Sequence, residues 1–257
     1  MTIKKILLPA FLIFASACGQ NAQQTEAVST AMGNDDSCLT FPRPSDGNLY
    51  HCASYPMHTL TGDSAGFRST LFQISSAFNP AQQQKIARAL DLAMWAVGEH
   101  FIHRYVEKQA NSDFMACLTR KNPIELVPAG APAAIRGKTA AFYADYAMGG
   151  ITILQTFHDQ KRVPAKITVT NQPATTLAQA VVGKDYSAVG ASQNMDIQIN
   201  IQALNKGTVN DLPMTDQILA GIIFHEWLHR IGFEHQSGQE ANTFVRAAGE
   251  CVGSQNR

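Results

Sequence analysis

Residues 215–235 read TDQILAGIIFHEWLHRIGFEH and carry the strongest structural signal in the chain. Thr215 is a favourable N-cap residue, and residues 218–224 are apolar around the whole helical circumference, which is typical of a helix buried on most sides. Gly232 follows that segment. Because glycine adopts positive φ at little cost, the pattern predicts that the helix ends there and that the chain turns sharply.

The same stretch places three histidines and one glutamate in a pattern typical of a metal site. His225 and His229 are four residues apart, so both imidazoles lie on one face of the helix, about 6 Å apart at Cβ. The turn at Gly232 would bring His235 back as a third ligand. Three histidines leave the fourth tetrahedral position of a zinc ion open, which is typical of catalytic rather than structural zinc. Glu226 is displaced around the helix, where its carboxylate can contact a metal-bound water.

The stretch resembles the HExxHxxGxxH motif of the metzincin clan of zincin metallopeptidases, matched at His225, Glu226, His229, Gly232 and His235. The resemblance implies an α+β fold in which a zincin-like twisted mixed sheet carries a backing helix and a buried active-site helix. It also implies one Zn²⁺ per chain and a zinc-dependent endopeptidase. In that activity Glu226 would be the general base that activates a zinc-bound water.

The chain departs from this clan after the third histidine. Metzincins place a methionine turn beneath the zinc, but the last methionine here is Met214, before the motif. The sequence therefore predicts a minimal C-terminal subdomain. An alternative ligand set, similar to that of gluzincins, would use Glu250 instead of His235. The turn at Gly232 favours His235, since the glycine has no purpose in the alternative.

Upstream of the motif, the sequence predicts one long helix and several strands. Asn79 and Pro80 are suited to the N-cap and first position of a helix, and apolar residues recur every three or four positions over 80–108. We expect a helix there. Apolar and β-branched residues favour strands, which we expect at 67–74, 151–157 and 166–170.

Residues 195–204 alternate between apolar and polar side chains, which predicts a strand with one dry and one wet face. Next to a metal site, an unpaired strand edge can bind an extended peptide by main-chain hydrogen bonds. We therefore expect this strand to border the cleft, with Asn200 and Gln202 as substrate-binding residues.

The N-terminus predicts export. Two lysines precede an apolar segment over 6–14 and small residues at 15–17, which is typical of a signal peptide over residues 1–17. Cys18 fits a lipobox and would be the lipidated first residue, although cleavage at an A-x-A site is an alternative. Residues 18–37 are polar and predict a flexible tether, and residues 38–257 the metallopeptidase domain. We expect a bacterial cell-envelope protein, lipid-anchored on the periplasmic or outer face of a membrane.

Removing Cys18 leaves Cys38, Cys52, Cys117 and Cys251, an even set that suits two disulfides in an oxidising compartment. The sequence allows three pairings. The short loop favours Cys38 with Cys52, leaving Cys117 with Cys251 to hold the C-terminal end. Two alternatives are a cysteine metal site, which lacks C-x-x-C spacing, and latency by Cys38 or Cys52 binding zinc.

Lysine plus arginine and aspartate plus glutamate number 20 each, so no basic field predicts nucleic-acid binding. The expected partners are a peptide or protein substrate, and a membrane through the lipid anchor only. Histidines and glutamates at 99, 100, 103 and 107 could form a second metal site, although solvated helix residues are the simpler interpretation.

The sequence is compatible with three rival functions. They are a non-catalytic zinc-stabilised binding module on the cell surface, an amidase acting on cell-wall peptides, and zinc storage or sensing. Glu226 favours catalysis, because a structural zinc site needs no free carboxylate beside its ligands. An oxyanion-stabilising residue is not identifiable, and Tyr143, Tyr146 and Tyr186 are candidates without support from spacing.

Overall fold

A five-stranded mixed sheet with helices on one face forms the architecture, and the predicted α+β class is confirmed. The computed structural model describes residues 38, 41, 43–58, 65–109, 111–121, 135–172, 177–180, 194–209, 212–233, 235 and 244–254. These residues belong to one compact unit, Asp35–Asn256. Cys18 and the predicted signal peptide and tether lie outside the described residues.

The large sheet has the strand order β1-β2-β3-β5-β4, and a separate hairpin pairs β6 with β7. The strands are β1 (Leu49–His58), β2 (Ala65–Ile74), β3 (Ala165–Thr170), β4 (Ala178–Gln179), β5 (Ile197–Asn200), β6 (Thr208–Val209) and β7 (Leu212–Pro213). The outer pairs β1–β2 and β4–β5 are antiparallel, whereas β2–β3 and β3–β5 are parallel. The strands predicted at 67–74 and 166–170 are confirmed.

The helices are α1 (Pro80–Phe101), α2 (Asp113–Arg120), α3 (Ala140–Lys161), α4 (Ile201–Lys206), α5 (Asp216–Arg230) and α6 (Phe244–Gly253). Three of them, α1, α3 and α5, contact the same sheet face. The contacts are His51–Asp91 at 2.7 Å, Tyr55–Gln155 at 2.8 Å and the stacked rings of Phe72 and Trp227 with centroids 6.0 Å apart. The main apolar core therefore lies between this face and the helices.

The helix predicted over 80–108 is confirmed for most of its length. Asn79 forms a capping box with Gln82 and Pro80 occupies the first turn, as the sequence predicts. The helix continues after Phe101 as a π-helical turn over Ile102–Val106.

Histidines and glutamates near this end of α1 do not converge on one point. Glu99 contacts Nδ1 of His103 at 3.0 Å, and Glu107 contacts the opposite ring nitrogen at 3.6 Å. One cation cannot be shared by groups on opposite sides of a ring. The expectation that His100 is a solvated helix residue is wrong, because its side chain is fully buried.

The strand predicted over 151–157 is wrong, because these residues belong to α3. The local run of β-branched residues favours a strand, but buried positions recur along α3 at helical spacing and place one face in the core. Gly150 has a packing role there. A Cβ at this position would lie 2.5 Å from Cδ1 of Ile231, which follows the motif helix α5.

The strand predicted over 195–204 is shorter than expected and does not lie at an edge. Pairing covers Ile197–Asn200, after which Asn200 caps the short helix α4. Strand β5 is hydrogen-bonded to β3 on one side and to β4 on the other. Among the described strands, β4 forms that end of the sheet.

Both favoured disulfide pairings are confirmed. Cys38 is bonded to Cys52, and Cys117 is bonded to Cys251. The second bond joins α2 to α6 over a sequence separation of 134 residues. Within the described residues, no helix combines the length and apolarity needed to cross a bilayer.

Candidate metal centre

The motif helix α5 is capped by Thr215, as its sequence predicts, and two further side chains anchor it to the sheet. The Thr215 hydroxyl accepts a hydrogen bond from the Ile218 backbone N–H at 3.1 Å. Near the other end, the Trp227 indole donates to the Met195 carbonyl at 3.2 Å, and Arg230 donates to the Asp196 carbonyl. Both acceptors lie just before β5, so the sheet fixes the rotation of the helix that carries the histidines.

The turn after α5 brings His235 back toward the helix. Gly232 has a φ of 100°, a left-handed conformation that favours glycine. Its N–H donates to the His229 carbonyl at 3.0 Å, and the Phe233 N–H donates to the Leu228 carbonyl at 3.1 Å. The predicted role of Gly232 is confirmed.

The structure brings the three predicted histidine ligands together. The Nε2 atoms of His225, His229 and His235 form a triangle with all three sides equal to 3.2 Å. A point about 2.05 Å from each atom, the usual Zn–N distance, would subtend N–Zn–N angles of about 103°, close to the tetrahedral value. The triangle therefore fits a tetrahedral metal ion, and among the described residues this is the one group of three or more histidine, cysteine or carboxylate ligands that could hold one.

Backbone carbonyls orient two of the imidazole rings. Nδ1 of His229 donates to the Phe233 carbonyl at 2.6 Å, and the ring of His225 is hydrogen-bonded to the backbone of Val245 in α6. Since Nε2 of His225 faces the triangle, its bond to Val245 uses Nδ1. Each bond holds the proton on Nδ1 and leaves the Nε2 lone pair directed at the metal position.

Burial keeps these two rings neutral. It lowers the pKa of His225 to about 3, with a smaller contribution from the neighbouring rings. Burial also lowers the pKa of His229. Neutral imidazole is the form that binds a metal, so the site is arranged for coordination across the physiological pH range.

Glu226 lies beside the triangle without belonging to it. Its side chain is buried, the Ala180 backbone donates a hydrogen bond to it, and Arg230 lies close enough to interact with its charge. Burial raises the pKa of Glu226 to about 8, although Ala180 and Arg230 both act to lower it. A nearby dication would likewise favour the ionised carboxylate.

The alternative ligands suggested by the sequence are engaged elsewhere. Glu250 contacts Lys121 at 2.6 Å and Arg246 at 3.0 Å, and these cations lower the pKa of its carboxyl although burial raises it. Glu250 is therefore not the third ligand. Cys38 and Cys52 are bonded to each other, which excludes latency by either thiol in the disulfide-bonded protein.

The residues predicted to bind substrate do not share an exposed strand edge. The Asn200 side chain is fully buried, donating to the Gln172 carbonyl at 2.9 Å and capping α4. Gln202 is exposed on α4. The prediction that they contact substrate depended on an exposed strand edge, and β5 is not one.

The tyrosine candidates have structural partners. The Tyr143 hydroxyl is committed to the Ile135 carbonyl at 2.7 Å. Tyr146 packs its ring against Phe142 and Phe233. Tyr186 lies outside the described residues.

Sequence reasoning missed three groups that contact the site. Arg230 could have been found, since it lies four residues after Glu226 on the same helix face. The Ala180 N–H and the Val245 carbonyl carry no sequence signal, because any residue supplies a backbone donor and acceptor.

Comparison with protein-family models, with curated proteins and with solved structures finds no match to this chain. Its chemistry is therefore inferred from the geometry of the site.

Proposed function

We propose that this protein is a zinc-dependent endopeptidase whose general base is Glu226. The observation that carries the proposal is the combination of three convergent imidazole nitrogens with a buried carboxylate that is not a ligand. A structural zinc site normally fills all four positions with protein ligands and needs no such carboxylate. The resemblance of residues 225–235 to the metzincin motif and the α+β fold support the same conclusion.

His225, His229 and His235 would hold the metal. When bound, zinc polarises the scissile carbonyl and lowers the pKa of its water toward 7. The Glu226 carboxylate accepts a proton from the attacking water and later donates it to the leaving amine. The Ala180 N–H and the Arg230 charge hold this carboxylate in place.

Strand β4, rather than β5, is suited to binding an extended substrate. It pairs with β5 on its inner side, and among the described strands no partner lies on its outer side. Ala180 follows β4 directly and its N–H contacts Glu226, so this edge adjoins the proposed base. Main-chain pairing along it would favour unfolded or extended peptides of varied sequence.

Two disulfides support an oxidising compartment, as expected for an exported protein. The proposed location is the bacterial cell envelope, with Cys18 as the lipid anchor. Mass spectrometry of the membrane-extracted protein tests this, since a diacylglyceryl group is expected on an N-terminal Cys18. Unmodified Cys18 in a soluble product would contradict the anchor.

The decisive experiment compares the wild-type protein with Glu226→Gln on a mixed peptide library. The amide keeps the shape but cannot accept the proton, so turnover should fall by roughly 100-fold to 10,000-fold while zinc content stays near one per chain. Glu250→Gln is the matched control, because Glu250 lies among surface cations, and it should retain turnover. Near wild-type cleavage by zinc-loaded Glu226→Gln would refute the mechanism, and no hydrolysis by the wild type would favour a binding module.

A further inference from the structure

The C-terminal helix α6 crosses the motif helix α5 at a distance that only glycine permits. A Cβ built on Gly221 would lie 2.3 Å from the Gly249 carbonyl oxygen, and one built on Gly249 would lie 2.6 Å from the Gly221 carbonyl oxygen. Real Cβ atoms do not approach backbone so closely. A side chain at either position would therefore push the two helices apart.

This close crossing lies directly beside one metal ligand. The position of a Cβ on Gly249 is 3.2 Å from Cβ of His225. Val245, one helical turn before Gly249, provides the carbonyl that accepts from the His225 ring. One turn of α6 therefore contacts both the base of the His225 side chain and its imidazole.

A disulfide holds α6 in this position from its other side. The Cys117–Cys251 bond joins it covalently to α2. Cys251 is two residues from Gly249. The anchor therefore restrains the same part of α6 that faces His225.

We propose that Gly249 is a positioning residue for the metal centre: its lack of a side chain lets α6 approach until the Val245 carbonyl orients the His225 imidazole. This inference rests on the proposed metal site but not on catalysis. It also gives a physical role to the segment after His235, which lacks the methionine turn of the clan that it resembles. Carbonyls that bind the second nitrogen of a ligand histidine typically contribute 10-fold to 100-fold in metal affinity.

The test compares Gly249→Ala with Gly253→Ala. Both replace a glycine of α6 that packs against α5, but a Cβ at Gly253 would meet the Gln217 carbonyl oxygen at 2.9 Å and no metal ligand. Zinc affinity is measured by competition with a chromophoric chelator, and folding by circular dichroism of the zinc-free protein. We expect Gly249→Ala to bind zinc about 10-fold to 100-fold more weakly, and Gly253→Ala to keep wild-type affinity despite a lower Tm.

Equal zinc affinity in the two folded variants would overturn the proposal and leave α6 with a packing role only. If Gly249→Ala does not fold, the double variant Cys117→Ser with Cys251→Ser decides, since it keeps both glycines but removes the covalent restraint that holds α6 against α5. Weaker zinc binding in that variant supports the proposal, and unchanged binding refutes it. Because no substrate is used, these outcomes are independent of whether Glu226→Gln abolishes hydrolysis.

Discussion

The three histidines of the triad and the buried His100 differ in what their ring nitrogens face. In the candidate metal centre, the Nε2 atoms of His225, His229 and His235 face one another at 3.2 Å. The buried His100 instead has Nδ1 at 2.7 Å from the Ser112 hydroxyl and Nε2 at 2.9 Å from the Asp145 carboxylate. The His100 ring is hydrogen-bonded to a hydroxyl on one side and a carboxylate on the other, whereas one nitrogen of each ring in the triad faces the other two rings.

The difference shows that burial alone does not identify a functional histidine. Nitrogen lone pairs that converge on one point repel one another, because no proton lies between them. A cation at that point stabilises them. A ring held between a hydroxyl and a carboxylate instead connects elements of the fold, here α1, α3 and the cap of α2. The direction of the ring nitrogens therefore separates a metal site from a structural one.

The largest expected effect is on zinc binding. His235 is exposed, so His235→Ala should fold, yet it removes one of three ligands and should lower zinc affinity by more than the roughly 100-fold typical of losing an outer-sphere contact. Metal analysis after dialysis should find about one zinc per wild-type chain and much less in the variant.

The control for this prediction is His100→Ala, which should keep full zinc occupancy if it folds. Full occupancy in His235→Ala, with loss of zinc in Glu250→Ala, would contradict the three-histidine site.

The next effect is on the free energy of unfolding, and here the His100 variant should lose more than the His235 variant. His100→Ala removes a fully buried ring together with its hydrogen bonds to Ser112 and Asp145 and leaves a cavity, which should lower the free energy of unfolding by about 2–4 kcal/mol. Urea denaturation of the zinc-free protein measures it. His103→Ala is the matched control, since its contacts with Glu99 and Glu107 are partly exposed and should contribute less than about 1 kcal/mol. Equal losses in the two variants would remove the structural role assigned to His100.

The smallest expected effect is the contribution of His158 to the pH dependence of stability. His158 donates from Nδ1 to the Val163 carbonyl at 3.0 Å and accepts at Nε2 from the Met195 N–H at 2.9 Å, so it must be neutral. Burial lowers its pKa, although Asp159 and Asp196 act to raise it, and Arg230 lowers it further. Below pH 6.5 the unfolded chain binds this proton more readily than the folded one, so stability should decline as the pH falls.

Urea denaturation between pH 8 and pH 5, with excess zinc to keep the metal ligands unprotonated, measures this dependence. In His158→Gln it should be weaker than in the wild type. An identical pH dependence of the two proteins would show that His158 titrates normally in the folded state.

The elements that sequence predicted well are those with complete local signals. Asn79 and Pro80 mark the start of α1, and Thr215 and Gly232 mark both ends of the motif helix segment. The elements that it missed depend on distant partners. Residues 151–157 have strand-like composition but belong to α3, since their buried face packs in a core built by other segments. Helix α6 contains two glycines that disfavour helix locally, and the close approach of α5 explains them.

Part of the error over 195–204 was avoidable. Asn200 is a strong N-cap residue, so the end of the strand and the start of α4 had a local signal. The position of β5 between β3 and β4 had none, because strand order depends on contacts between segments remote in the chain. The expectation that β5 forms an edge of the sheet is wrong for that reason.

Residue spacing was enough to predict the three convergent histidines and Glu226 beside them, but it left three possible disulfide pairings, of which the structure shows one. Helical periodicity and one glycine turn place the histidines, and four cysteines after Cys18 leave few pairings. The tertiary structure alone decided that β4 adjoins Glu226 through Ala180, and that α6 contacts His225 through Val245 and Gly249. These contacts are made by backbone atoms or depend on the absence of a side chain. A sequence pattern does not reveal them, because every residue has a backbone and a glycine does not show which helix will pack against it.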